Sequence, residues 1–254
     1  VTVHHLTKAQ FDHGGTRDAG IRKSSADIIV CMTQDAVPAD RHLIRRLLEA
    51  FEDPEVGAAY ARQLPKKGCN EVEKYTRSFN YPEESRIKSS EDLKTLGVKT
   101  FFCSNVCAAW RRQTYLELGG FERKTIFNED MILAGKLVQA GGKIAYCAEA
   151  RVVHSHDYSA LEQFRRYFDL AVSQTMHPEV FAGISSESEG MRLVKKTAGH
   201  VLQIKKPWLI LRVVTQNAGK LLGYRLGRCY RSLPKQVIRL CTMNRSFWEG
   251  PDKI

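Results

Sequence analysis

A chain of 254 residues has room for one large domain, or a domain with an appendage, around a substantial core. Its 43% hydrophobic and 26% charged residues are ordinary for a soluble globular protein; no leader is read at the start, and no apolar run approaches the ~20 residues of a membrane-spanning helix. The net charge of +11 is lopsided, −1 over residues 1–190 and +12 over residues 191–254, so it is the tail that seeks a polyanion, either nucleic acid or an anionic membrane surface.

Val1-Thr2-Val3 reads as a strand. In Phe11-Asp12-His13-Gly14-Gly15-Thr16-Arg17-Asp18 the two glycines allow a tight turn or a close backbone approach, and Thr16 to Lys23 reads as a helix. Arg17 and the first amides of that helix suit a phosphate; the alternative is a glycine turn with a surface arginine. Ile28 to Met32 is a short, β-branched apolar run, the pattern of a buried strand. It delivers Asp35 to its carboxyl end, where ligands bind in open α/β sheets. Asp35 there either caps a turn or helix, or anchors a metal and a phosphorylated ligand. Pro38 and Asp40 open a helix over residues 39–52, and Val56 to Tyr60 forms the next strand. This alternation of strand and helix predicts a parallel sheet. Residues 61–99 are polar and irregular, with a helix around 71–79 and otherwise a mobile loop suited to a lid.

Within Thr100 to Trp110 an apolar run encloses Ser104-Asn105, a polar pair whose partners must come from the fold or from a ligand. Arg111 to Leu118 is a short helix closed by Gly119-Gly120. Asn128-Glu129-Asp130 opens another helix. Acids at that end either complement the helix dipole or supply a general base for an attacking hydroxyl. After a strand over 143–147 come His154 and His156, at i and i+2 on extended chain and therefore on one side. With Asp35 they make an oxygen/nitrogen set suited to Mn²⁺ or Mg²⁺; structural histidines are the alternative. Tyr158 to Met176 has helical spacing. From Met191 the chain reads as amphipathic basic helices, with Trp208, Leu211 and Val214 among Lys205, Lys206, Arg212, Lys220, Arg225 and Arg228.

FDHGGTRD, TQDA, FFCSNVCAAWRR, LGGF, NEDM and VVHSHDYS, in that order over residues 11–159, resemble the motifs of the GT-A-fold glycosyltransferases of family 2, above all their bacterial rhamnosyltransferase branch. The resemblance implies an α/β, Rossmann-like GT-A fold with a mixed, mostly parallel sheet over residues 1–158 and a helical basic region over 159–254. It implies that Gln34-Asp35-Ala36 stands where the family has its metal-binding Asp-X-Asp, with Asp35 holding a Mg²⁺ or Mn²⁺ that neutralises the donor diphosphate. Asp130 of Glu129-Asp130 matches the catalytic base of an inverting displacement, His154 the late metal-ligand histidine, with His156 second. His13-Gly14-Gly15-Thr16-Arg17 matches the loop and helix beside the donor. Asp18 replaces the usual asparagine, and its charge is expected to weaken diphosphate binding or change its partner.

The implied activity is transfer of a sugar, L-rhamnose from dTDP-rhamnose, from a nucleotide-sugar donor to a glycan or polyprenyl-linked acceptor. Another nucleotide sugar and an inactive fragment are the alternatives. Family members begin with a strand, a helix and a second strand that carry nucleoside-binding residues, and Val1 corresponds to about the third strand; residues 1–254 alone are expected to turn over little or not at all. Seven scattered cysteines, odd in number and without a CxxC pair, favour a reducing cytoplasm. The basic tail is expected to sit peripherally on the inner face of the plasma membrane. A basic nucleic-acid-binding protein is the competing non-enzyme class; it is set aside because zinc-ligand spacing and RNA-binding aromatic motifs are missing and acids cluster at the motifs.

Overall fold

The computed structural model describes residues 2–7, 10–184 and 187–249. The described part of the expected first strand, Thr2 and Val3, is exposed and unpaired; Val1 lies outside the described residues. Helix α1 runs His13–Lys23 and starts three residues earlier than expected, because Asp12 caps it by accepting from the Gly15 amide at 2.6 Å. The glycines therefore sit in its first turn. A Cβ at Gly14 would lie 1.9 Å from the Glu122 carbonyl oxygen, so the residue serves close backbone approach and not a turn.

Strand β1 is Ile28–Met32, β2 is Val37–Pro38 and helix α2 is Leu43–Leu48, extended by a 3₁₀ turn at Glu49–Glu52. Val37 and Pro38 pair at the sheet margin, so the helix begins later than the Pro38–Asp40 signal implied. Strand β3, Val56–Leu64, outruns its expected end. The helix expected around 71–79 is α3, Glu71–Asn80; the rest of residues 61–99, expected to be a mobile loop, is instead built into the fold with strand β4, Arg86–Lys88, and helix α4, Leu93–Leu96. β4 is held by its ladder with the later strand β6, Lys143–Val153. Between them lie β5, Cys107–Arg111, the short helix α5, Arg112–Glu117, and helix α6, Glu129–Gln139.

The sheet is mixed and runs β1-β5-β3-β6-β2, with β4 also on β6. It is not mostly parallel. Among the described pairings only β3–β6 is parallel. Strand–helix alternation correctly orients β1, β3 and β6 the same way. It does not reveal that β5 inserts between β1 and β3 in the opposite sense. One face of the sheet packs through Ala58, Tyr60, Ala108 and Trp110 on Tyr115, Ile132, Leu133 and Leu137 of α5 and α6. The other packs through Val56, Ala59 and Ala145 on Leu43 and Leu47 of α2. Small residues in the central strands let both helical layers approach closely.

The C-terminal region is helical: α7, Ala160–Met176; α8, Pro178–Phe181; α9, Glu187–Gln203; α10, Leu209–Arg228; and α11, Lys235–Cys241. Ser159 and Glu162 form a capping box that starts α7. α7 and α10 lie parallel and interlock. Gly219, Gly223 and Gly227 recur every fourth residue against Ala160, Phe164 and Phe168, and a Cβ at each would meet a backbone carbonyl oxygen at 2.5, 2.1 and 2.4 Å. These helices share cores with the sheet region. Val180 and Phe181 join the cluster around α6, while Ile126 packs with Phe168, Val172, Tyr230 and Trp248.

Candidate functional site

β1, β3 and β6 end at one edge of the sheet, and antiparallel β5 begins there. That single edge gathers most of the chemistry. Asp35 follows β1, Gln63 closes β3, Ser104 and Asn105 precede β5, and His154 and His156 follow β6. The His154 amide donates to the Leu64 carbonyl at 2.9 Å and carries the β3–β6 ladder one residue beyond the strand. Asp130 arrives from the amino end of α6. His13, Arg17, Asp35, Ser104, Asn105, Glu129, Asp130, His154 and His156 all line one cleft of about 2210 Å³. Ordinary single-ligand pockets span ~300–1,000 Å³, so the cleft has room for more than one small ligand. Gly14, Gly15 and Gln34 are outside its lining; the two glycines are packing residues of α1 and Gln34 is exposed beside Asp35.

Asp35 Oδ2 stands 3.3 Å from His154 Nε2 and 3.4 Å from His156 Nε2, and the three ligand atoms fall within 4.8 Å of one another. Burial pushes the His154 imidazole down to about 4, helped by the nearby Arg77 charge, and burial lowers His156 as well. Both rings are therefore neutral at neutral pH, the form that ligates metals. One carboxylate and two neutral imidazoles at this spacing fit a divalent cation. His156 also stacks on Tyr158, ring centroids 5.1 Å apart, which steadies its ring.

The two adjacent acids have different fates. Glu129 is buried and ion-paired with Arg17, joining α6 to α1. Arg17 is thereby paired with a carboxylate in this arrangement, and the Glu129 carboxylate is engaged in that ion pair. Asp130 lines the cleft as well and forms no ion pair with Arg17. Its Oδ2 accepts from the Asn105 amide at 3.0 Å and its Oδ1 from the Met131 amide at 2.8 Å. Removal from water, then the Glu129 charge beside it, raise its pKa to about 7 against the pull of those amides. A carboxylate poised there suits proton abstraction. Asn128, which precedes both acids, is left-handed at φ 66°. Such a backbone at a non-glycine residue is uncommon and concentrates at functional sites.

Asn105 is 2% exposed, and its Oδ1 accepts from Trp110 Nε1 at 3.1 Å. Its Nδ2 and that of Asn128 are buried without a hydrogen-bond partner among the described residues. Asp18 does not face a diphosphate. It is 1% exposed, outside the cleft lining, and accepts from Tyr115 Oη at 3.0 Å, Arg22 Nε at 2.9 Å and Arg123 Nη2 at 2.7 Å. Burial opposes its ionisation, yet those donors hold it below the usual carboxylate range. Its charge is neutralised inside the α1–α5 contact.

Sequence reasoning passed over Gln63, Arg77 and Lys88. Lys88 is buried on β4 and donates to the Lys99 carbonyl at 3.1 Å and to that of Phe102, which fastens the segment leading to Ser104. Burial lowers this lysine to about 7. No local pattern marks any of the three, since each acquires its role from a partner distant in sequence.

The family model for glycosyl transferase family 2 matches residues 1–119. The O-antigen chain rhamnosyltransferase RfbN of Salmonella typhimurium is 42% identical over 254 residues, covering 98% of this chain and 80% of the relative. The O-antigen chain rhamnosyltransferase WbaN of Salmonella anatum is 40% identical over 249 residues, covering 96% of this chain and 78% of the relative. Among solved structures, the mannosyltransferase PcManGT of Pyrobaculum calidifontis, in complex with GDP-Man and Mn²⁺, matches with a TM-score of 0.49 at 15% identity, covering 94% of this chain and 67% of that one. Identity at or above 40% along nearly the whole length, with the family model matching residues 1–119, makes this chain a glycosyltransferase of family 2 with a GT-A-like fold.

Proposed function

We propose that this chain transfers L-rhamnose from dTDP-rhamnose, with inversion, to a hydroxyl of a glycan or polyprenyl-linked acceptor in bacterial surface polysaccharide synthesis. The observation that carries the reading is the opening of Asp130 and of the Asp35–His154–His156 cluster into one cleft, in a chain 42% identical to an O-antigen chain rhamnosyltransferase. Asp130 takes the proton of the acceptor hydroxyl as its oxygen attacks the anomeric carbon, and the bond to the nucleoside diphosphate breaks on the opposite face. Asn105 Nδ2 and Asn128 Nδ2, buried beside that base, are donors for the incoming sugar. A Mg²⁺ or Mn²⁺ held by Asp35, His154 and His156 would offset the charge on the departing diphosphate.

The test is release of dTDP from dTDP-rhamnose in the presence of a glycolipid acceptor. Turnover is expected with Mn²⁺ and lost with EDTA. Preference for another nucleotide sugar overturns the choice of rhamnose, and unchanged turnover in EDTA overturns the metal. Absence of turnover with every nucleotide sugar overturns the reading.

The tail supports a peripheral place on the cytoplasmic face of the plasma membrane. Trp208 is 67% and Leu211 71% exposed, next to exposed Lys205 and on the same helix as exposed Arg225 and Arg228. An aromatic and aliphatic face with basic neighbours suits an anionic bilayer surface. Among the described residues no helix is long and apolar enough to cross a membrane. The protein is expected to float with anionic vesicles and not with neutral ones, and a Trp208→Ser/Leu211→Ser double variant to lose most of that flotation. Equal flotation of both proteins would show that this face does not dock.

A further inference from the structure

Gln63 is 3% exposed at the end of β3 and makes three polar contacts. Its Oε1 accepts from Arg77 Nη1 and lies 3.0 Å from His154 Nδ1, while its Nε2 donates to Ser104 Oγ at 3.1 Å. A guanidinium only donates. The Gln63 atom that faces Arg77 must therefore be the oxygen, and the amide cannot flip without setting N–H against N–H. Because His154 Nδ1 faces the same oxygen, it must carry the ring proton. A neutral imidazole has one N–H, so Nε2 is left with its lone pair, and Nε2 is the atom 3.3 Å from Asp35 Oδ2. Two acceptors thus confront each other at the centre of the cluster, an arrangement that a cation between them relieves. Arg77 is held in turn by Glu73, Nε to Oε1 at 2.7 Å, with only 17% and 13% of the two side chains exposed.

We infer that Gln63, its amide locked by Arg77, is a positioning residue that holds His154 as the Nδ1–H tautomer and thereby sets the affinity of the Asp35–His154–His156 cluster for a divalent cation. This rests on the metal-dependent reading given above. An outer hydrogen-bond partner of a ligating histidine orients the ring and fixes its tautomer, and its loss typically lowers metal affinity ~10–100-fold. Gln63 also reaches the base. Ser104, its other partner, precedes Asn105, whose amide donates to Asp130 Oδ2. One buried side chain therefore ties the metal end of the cleft to the proton-abstracting end.

Two measurements on the full chain test this. Long-range ¹H–¹⁵N correlation in metal-free protein, with the ring assigned by His154→Gln, reports the tautomer; Mn²⁺ titration followed by electron paramagnetic resonance reports affinity. The native ring is expected to be Nδ1–H. Arg77→Met frees the amide to turn, so the Nε2–H form is expected to grow and Mn²⁺ binding to weaken roughly 10-fold. Gln63→Leu is expected to weaken it ~10–100-fold, and Gln63→Glu, which keeps an oxygen before both partners, to retain it. Should Gln63→Leu fail to fold, Arg77→Met and Gln63→Glu still decide. A native Nε2–H ring, or native Mn²⁺ affinity in folded Gln63→Leu or Arg77→Met, overturns the inference. A native chain that shows the Nδ1–H ring but binds no Mn²⁺ overturns the metal reading itself, and the affinity role falls with it.

Discussion

Asp130→Asn is expected to lower the transfer rate by ~10²–10⁴-fold, the usual worth of a positioned general base, while donor binding changes little. Asparagine keeps the shape, and its one oxygen can still accept from one of the Asn105 and Met131 amides, which approach different carboxylate oxygens, but it cannot take a proton. For the native protein the rate should rise with pH and level off above about 7, since Asp130 must be ionised to act and its pKa stands near that value. Its stability should move in the opposite direction. A carboxyl whose folded pKa is raised above its unfolded ~3.9 contributes stability that is fully present below ~3.9 and lost as pH rises through the folded value. Melting temperatures across pH 4 to 8 should therefore fall further for the native protein than for Asp130→Asn. A variant that retains more than a tenth of the native rate, or that shows the same pH-dependent fall in melting temperature, would remove Asp130 from the role of base.

Gly223→Ala is expected to destabilise the protein by at least ~1–3 kcal/mol, the usual cost of overpacking, and Gly223→Val by more. Helix propensity alone points the other way, because alanine in a helix interior gains ~1 kcal/mol over glycine. Packing decides the sign. The added Cβ would lie 2.1 Å from the Phe164 carbonyl oxygen, which is backbone and cannot rotate aside, so α10 must separate from α7. Gly199 of α9 is the control: a Cβ there meets nothing within 4 Å, and Gly199→Ala should stabilise by the propensity gain alone. Chemical denaturation of both variants beside the native chain measures the contrast. Two shifts of the same sign would show that the interlock does not govern this helix pair.

The metal reading was accessible from sequence because its residues keep recognisable company. Asp35 closes an apolar run, His154 and His156 alternate after another, and the order of motifs carries the family likeness. Asp130 was legible for the same reason, though its neighbour was not: Glu129-Asp130 offers two carboxylates to a one-dimensional reading, and only the approach of Arg17 on α1 separates the ion-paired Glu129 from Asp130, the base proposed above. Asp18 shows the same limit from the other side. Its charge is obvious in the sequence, but the Tyr115, Arg22 and Arg123 donors that neutralise it are gathered by folding.

The sheet divides in the same way. Apolar runs and breaker residues located β1, β3 and the helices around them, since hydrophobic period and turn chemistry act over a few residues. The insertion of β5 between β1 and β3 depends on pairing between segments some fifty to eighty residues apart, which no local period records. Outside its expected helix, the 61–99 segment was misjudged because β4 gains its stability from hydrogen bonds to β6 and not from its own sequence. By itself, then, the sequence determined the family, the elements that deliver Asp35, Asp130 and His154, and the concentration of positive charge in the tail. Tertiary structure alone decided which carboxylate Arg17 pairs with, which amide faces His154, and why three glycines recur along α10. Those outcomes depend on distance and desolvation between residues far apart in the chain, and both come into being only when the chain is folded.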